Sequence, residues 1–248
     1  MQRYYKQLII KLLQNMKLLL ISNSTNAGEE YLKYPIGQIG EHLRGVRNIV
    51  FVPYAAVTFS YAEYERKVQR RFDEIGIKVR SIHREKSPLK AIREAEAICV
   101  GGGNTFALAK KMQEQGLMSA ILRKIKSGTP YVGWSAGSNV CCPTICTTND
   151  MPIVQPESFK SIGAIRFQIN PHYLDANPAG HAGETREQRI LEYIEANPRR
   201  YVVGLREGCI LRYADDRLTL IGERPMRIFK KGIAPYEVNA GDDLSFLL

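Results

Sequence analysis

Histidine is scarce in this chain: only His42, His83, His172 and His181 occur in 248 residues, so any imidazole chemistry has few candidates. Cysteine is sparse as well. Five thiols make an odd count in a chain too long to need covalent staples, which argues against a disulfide-built scaffold and fits a reducing cytoplasm. Cys141, Cys142 and Cys146 lie close together, yet no second group of Cys or His at ligand spacing completes a zinc site, so they read as packed thiols. No apolar run approaches the roughly 20 residues of a membrane span. In residues 1–15, Lys11 interrupts the apolar stretch that a signal peptide needs, and no A-x-A site follows. Those residues read as an N-terminal extension of uncertain order, ahead of a single α/β domain over 16–248.

Acidic residues are outnumbered 25 to 35 by basic ones, giving a net charge of +10. The cations come as pairs such as Arg70-Arg71 and Lys230-Lys231, with no run of five, so a nucleic-acid or membrane-binding patch is not indicated. A diffuse positive field instead suits a small acidic substrate. No internal repeat or low-complexity segment is found, which excludes a solenoid.

What is present is an alternation of short apolar runs and helical periodicity. Strands are expected at 17–22, 48–52, 77–82, 97–100 and 130–132. Between them lie helices at 29–43 (interrupted near Pro35), 61–75, 88–95, 105–115 and 118–127. Strand-helix units on short connections imply a largely parallel central sheet with helices on both faces. Beyond it, a strand at 167–169, a helix at 185–196 and short strands at 201–205, 210–213, 218–221 and 226–229 read as an antiparallel C-terminal extension of that sheet.

Two loops in this frame carry chemistry. The elbow strand runs into Gly133-Trp134-Ser135-Ala136-Gly137, a G-x-S-x-G turn that exposes a serine hydroxyl at a helix start; composition alone gives about 0.08 copies by chance. The N–H of Ala136 then lies where an oxyanion would form. The strand at 97–100 runs into Gly101-Gly102-Gly103-Asn104-Thr105, whose N–H groups are open to an anion. It has neither G-x-G-x-x-G spacing nor G-K-[ST], so a second oxyanion donor is a better reading of this loop than nucleotide binding.

A serine nucleophile needs a base, and the base needs an orienting acid. His42 and His83 precede the elbow in polar surroundings. His172, after an apolar strand and Pro171, is placed better than His181 in its glycine-rich loop. For the acid, Asp150 lies between polar turn residues and Pro152, and Asp175 competes three residues beyond His172. An Asx-turn or helix cap would explain Asp150 equally well.

The stretches Gly101-Gly102-Gly103-Asn104-Thr105-Phe106, Gly133 to Gly137, Thr147-Thr148-Asn149-Asp150-Met151-Pro152-Ile153, Gln168-Ile169-Asn170-Pro171-His172 and Gly183-Glu184-Thr185-Arg186-Glu187-Gln188-Arg189 together resemble the peptidase E family of α-aspartyl dipeptidases. The resemblance runs from Met16 to about Leu205. It implies a triad of Ser135, Asp150 and His172, an oxyanion hole near Gly103 and Ala136, and hydrolysis of dipeptides with an amino-terminal aspartate. It also implies a sandwich like that of class I glutamine amidotransferases, flavodoxin-like in layout, with serine where those enzymes carry cysteine. Such a substrate offers two carboxylates and an amine. Arg186 can supply a planar fork for a carboxylate and Glu184 an acceptor for the amine, with Asn104 of the glycine-loop motif as a further substrate-binding residue; first-turn helix charges would explain Arg186 and Glu184 too.

The expected reaction is acyl transfer to Ser135, requiring no metal or organic cofactor, on a small acidic dipeptide, in the cytoplasm, without nucleic acid or membrane, in a chain that can pair as a homodimer. The alternatives are a cyanophycinase-like hydrolase of β-linked aspartyl peptides and a non-catalytic nucleotide-binding module.

Overall fold

The computed structural model describes residues 16–176, 180 and 182–248; the N-terminal extension expected at 1–15 and the competing His181 lie outside the described residues. Its centre is β1 (Leu18–Ile21), four apolar residues with every side chain buried. Leu18 and Leu20 face one cluster and Leu19 and Ile21 the other, the two-residue period of a strand covered on both sides. Burial of each such side chain stabilises the fold by about 2 kcal/mol.

Around β1 runs a seven-stranded sheet in the order β3-β2-β4-β5-β1-β8-β9, where β2 is Asn48–Val52, β3 Lys78–Ser81, β4 Ala97–Val100, β5 Tyr131–Trp134, β8 Ile210–Ala214 and β9 Arg217–Ile221. Its first five members are parallel, with β8 and β9 antiparallel at one edge. Two helices, α1 (Ile36–His42) and α2 (Tyr61–Asp73), bury Ile39, Tyr64, Val68 and Phe72 on one face. On the other lie α3 (Pro88–Glu94), α4 (Thr105–Glu114) and α5 (Leu117–Lys126), contributing Ile92, Leu108, Met112, Ile121 and Ile125. The parallel α/β frame with helices on both faces is therefore present. Helix α1 is shorter than expected, because Pro35 sits at its N-cap and turns precede it.

The carboxyl-terminal strands correct the expectation of one continued sheet. Only β8 and β9 extend the central sheet. The others, β7 (Val202–Arg206), β10 (Met226–Lys230) and β11 (Ile233–Val238), join β6 (Gln168–Tyr173) in a second sheet of order β11-β10-β7-β6. Strand β11 was not expected: it is mostly exposed and shows no apolar alternation. The second sheet packs Ile169, Val203, Leu205 and Ile228 into the same cluster as Leu18 and Leu20, and α7 (Arg186–Ala196) adds Ile190 and Ile194 against Tyr173 and Phe229. The turn from β7 to β8 thus steps from one sheet to the other.

Candidate active site

The serine turn is built by close approach. Strand β5 ends at Trp134, and the four-residue helix α6 (Ala136–Asn139) starts immediately after Ser135. A Cβ on Gly133 would lie 2.4 Å from the Gly137 carbonyl oxygen, and one on Gly137 would lie 2.0 Å from that of Val100. Only hydrogen fits at either point, which is the physical content of the two motif glycines. Ser135 itself takes φ 52° and ψ −112°, left-handed backbone that a side chain rarely adopts, and its N–H donates to the Ile21 carbonyl at 3.0 Å.

His172 also has a positive φ, 53°. Its backbone N–H donates to Ser22 Oγ at 2.9 Å, and Ser22 Oγ donates in turn to the Leu205 carbonyl at 2.7 Å, so a fully buried hydroxyl ties β1, β6 and β7 together beneath the imidazole. The ring then spans two partners: Nε2 lies 3.0 Å from Ser135 Oγ and Nδ1 2.7 Å from Glu207 Oε1. With a carboxylate on Nδ1, the proton belongs there and Nε2 is left to accept from the serine.

This geometry corrects the expected acid. Asp150 does not bond the imidazole; its Oδ2 accepts the Thr105 N–H at 2.7 Å and the Thr148 hydroxyl at 3.0 Å, capping the start of α4. Helix-capping, left open on the sequence, is the contact observed. Asp175, the competing acid, is ion-paired to Arg206. Glu207 was missed, yet it sits on the β7–β8 turn that joins the two sheets. Gly208, at φ 83°, donates its N–H to Asn23 Oδ1 at 2.9 Å, and Asn23 is buried at the end of β1. Arg206, buried against Asp175 and Glu237, anchors the other side of the turn, and both carboxylates hold the guanidinium well above its ordinary pKa.

Of the expected oxyanion donors, Ala136 directly follows the serine, and Gly103 belongs to the loop that packs beside it through Gly102. Ala136 opens α6, and Gly102 approaches so closely that a Cβ on it would lie 3.0 Å from that of Ser135. Gly103 is left-handed at φ 132° and turns its Cα towards the Ala55 carbonyl. The N–H groups of Gly102, Gly103 and Ala136 donate to no protein acceptor among the described residues. Tyr64 holds the loop in place, donating its hydroxyl to the Gly102 carbonyl at 2.9 Å while accepting from Trp134 Nε1 at 3.1 Å.

A cleft of about 380 Å³ opens over Ser135, His172 and Glu207 and is closed by Thr105, Thr148, Asn149, Asp150, Pro171, Leu174 and Arg186. Arg186 is the cation of this wall and has no hydrogen-bond or ion-pair partner among the described residues. Burial pushes its guanidinium below the ordinary value, as does the neighbouring Arg189, against the pull of Asp150. The other two expected substrate residues do not line the cleft. Asn104 spends both ends of its amide on structure, accepting from the Ala107 N–H at 3.0 Å and donating to the Met151 carbonyl at 2.9 Å. Glu184 is exposed and pairs loosely with Arg189 at 3.7 Å. Among the described residues, no cluster of His, Cys, Asp and Glu could hold a metal ion, and no helix is long and apolar enough to cross a membrane.

Comparison with known proteins bears on this cleft. The family model described as Peptidase family S51 matches residues 18–221. The chain is 49% identical over 233 residues to a protein from Nostoc named peptidase E, covering 94% of this chain and 96% of that one. It is 45% identical over 226 residues to a peptidase E from Salmonella arizonae, covering 91% and 99%. A solved structure of a putative peptidase E from Listeria monocytogenes superposes with a TM-score of 0.62 at 20% identity, covering 84% of this chain and 98% of that one. A peptidase from an acI-B1 actinobacterium superposes with a TM-score of 0.66 at 18% identity, covering 94% and 98%. The two superpositions bear on the fold alone.

Proposed function

The chain belongs to peptidase family S51 and is a serine peptidase, and from that premise we propose that it hydrolyses dipeptides with an amino-terminal aspartate through an ester on Ser135. The observation that carries the reading is the Ser135 Oγ to His172 Nε2 contact of 3.0 Å, with Glu207 on the far side of the ring. In the first step His172 takes the hydroxyl proton as Ser135 attacks the aspartyl carbonyl, and the Glu207 carboxylate stabilises the imidazolium that forms. The tetrahedral oxyanion meets the N–H of Ala136 and those of the glycine loop, whose open donors stabilise the charge that develops there. The imidazolium then protonates the departing amine, and water, activated by the same ring, cleaves the ester.

Substrate ends are matched by charge. Arg186 offers its free guanidinium fork to the β-carboxylate of the aspartyl side chain. Asp150, whose Oδ1 takes no protein donor among the described residues, replaces Glu184 as the acceptor for the substrate ammonium. The five cysteines are all free, four of them buried, which suits work in a reducing cytoplasm.

A panel of Asp-Leu, Asn-Leu, Glu-Leu, Leu-Leu and a β-aspartyl-arginine polymer tests the reading by initial rates. Asp-Leu is expected to be turned over at least about tenfold faster than Asn-Leu, because an Arg fork left facing a neutral amide loses a charge-assisted pair. Equal rates for Asp-Leu and Leu-Leu, or turnover of the polymer in place of Asp-Leu, would overturn it.

A further inference from the structure

We propose that Tyr64 is a positioning residue for the reaction: its hydroxyl, tied to Trp134 of the serine turn, fixes the peptide plane between Gly102 and Gly103 and so aims the Gly103 N–H that serves the oxyanion. The inference deepens the Ser135 chemistry proposed above and rests on it. Among the N–H groups of the glycine loop, that of Gly101 donates to the Val52 carbonyl at 3.1 Å and that of Asn104 to the Ala55 carbonyl at 2.9 Å. Those bonds pin the two ends of the loop. Between them, the N–H groups of Gly102 and Gly103 have no protein acceptor among the described residues. Glycines tied only at the ends of such a stretch leave its middle peptide free to rotate.

The Tyr64 hydroxyl stops that rotation by donating to the Gly102 carbonyl at 2.9 Å. In a planar trans peptide the carbonyl of Gly102 and the N–H of Gly103 point in opposite directions, so holding the first sets the second. A bond accepted by the carbonyl also polarises the amide and makes its N–H the stronger donor. The hydroxyl is itself held. Its oxygen accepts from Trp134 Nε1 at 3.1 Å and from the Tyr31 hydroxyl at 3.3 Å, which leaves its proton for Gly102.

The ring cannot drift from this position. Tyr64 is buried on α2, with Phe51 edge-on to it at 5.0 Å and Phe59 at 5.3 Å between ring centroids. Burial pushes its phenol up to about 12, so the group keeps its proton and remains a donor at neutral pH. The loop is shaped to receive it, because a Cβ on Gly101 would lie 2.5 Å from the Tyr64 oxygen. A core tyrosine that merely packs needs any one acceptor. This one bonds the peptide that carries an open N–H and links it, through Trp134, to the residue preceding the nucleophile.

Tyr64→Phe keeps the ring and removes the hydroxyl. Steady-state hydrolysis of Asp-Leu reads kcat and KM, and urea unfolding reads stability. Removing an oxyanion donor outright lowers kcat by about 10²- to 10³-fold, so a donor left in place but no longer aimed should lower it by about 10- to 100-fold, with KM within about threefold. Val68→Ala is the control: it opens space in the same apolar cluster on α2 and has no polar group to bond the loop. It should lower the urea midpoint and leave kcat within about twofold. Gly101→Ala crowds the hydroxyl off the loop while keeping it on the ring; it should repeat the loss in kcat, and it decides the matter by the same criteria should Tyr64→Phe not fold. A kcat in Tyr64→Phe less than about fivefold below wild type, a loss carried by KM, or an equal loss in Val68→Ala overturns the proposal. Should the wild type leave Asp-Leu uncut, the substrate reading fails. The same ratios are then taken on whichever dipeptide of the panel it does cleave, so failure of the substrate class and failure of the positioning role are told apart.

Discussion

Replacement of Glu207 by glutamine isolates the part of the site that the sequence did not reveal. The amide is nearly the same shape and can still accept from Nδ1, now 2.7 Å from Glu207 Oε1, but it carries no charge to stabilise the imidazolium. Two unit charges about 4 Å apart interact by about 1 kcal/mol in water and about 4 kcal/mol at an effective dielectric of 20. Since the Glu207 side chain is 42% exposed, the lower half of that range applies. At about 1.4 kcal/mol per decade, kcat should fall by about 5- to 60-fold, less than in triads whose acid is fully buried. KM should stay within about threefold, because Glu207 is not the group that pairs with substrate charges. Steady-state hydrolysis of Asp-Leu by the purified variant reads both numbers. An unchanged kcat in Glu207→Gln, alongside a large loss in Asp150→Asn without a rise in KM, would refute the assignment and return the orienting role to Asp150.

Three further outcomes follow from the packing. Ser22→Ala removes a buried hydroxyl that serves the His172 N–H and the Leu205 carbonyl; it should destabilise the fold by about 2–4 kcal/mol in urea unfolding and lower kcat through a displaced imidazole. Gly137→Ala sets helix propensity, which favours alanine by about 1 kcal/mol, against a Cβ 2.0 Å from the Val100 carbonyl oxygen. The clash should win, with a lower urea midpoint or loss of soluble protein; a higher midpoint would contradict it. Arg206 holds the carboxyls of Asp175 and Glu237 below their ordinary range. Their depressed folded-state pKa values contribute stability that is present above the unfolded values near pH 4 and is lost as pH falls through the folded ones. Thermal scans should therefore show Tm dropping below about pH 4, and Arg206→Met should make that drop shallower.

The elements legible in the sequence are those whose cause is local. Ser135 announces itself because the turn that exposes it admits only small residues at 133 and 137, and the parallel strands because burial on both faces makes them apolar throughout. His172 could be singled out because histidines are few and it follows an apolar strand. Glu207 could not, since Arg206-Glu207-Gly208 has the composition of any polar turn. Its contact with His172 exists only because β6 and β7 are parallel neighbours and the chain crosses between sheets at that point. The available signal was its position at the carboxyl end of an apolar strand, the edge on which Ser135 also lies. Asp150 misled for the converse reason: it sits in the cleft, but its nearest demand is the free N–H at the start of α4. The division into two sheets was hidden likewise, because a short apolar strand records that it is buried and not which neighbour it pairs with.

The claim on which the account depends is that the Ser135 hydroxyl becomes acylated. Asp-Leu hydrolysis by Ser135→Ala, with its fold checked by circular dichroism and urea unfolding, measures this directly. The account predicts wild-type stability within about 1 kcal/mol, since among the described residues the hydroxyl's only protein partner is the His172 ring, together with a kcat lowered by about 10⁴-fold or more. A folded Ser135→Ala protein that still cleaves Asp-Leu at the wild-type rate would contradict it.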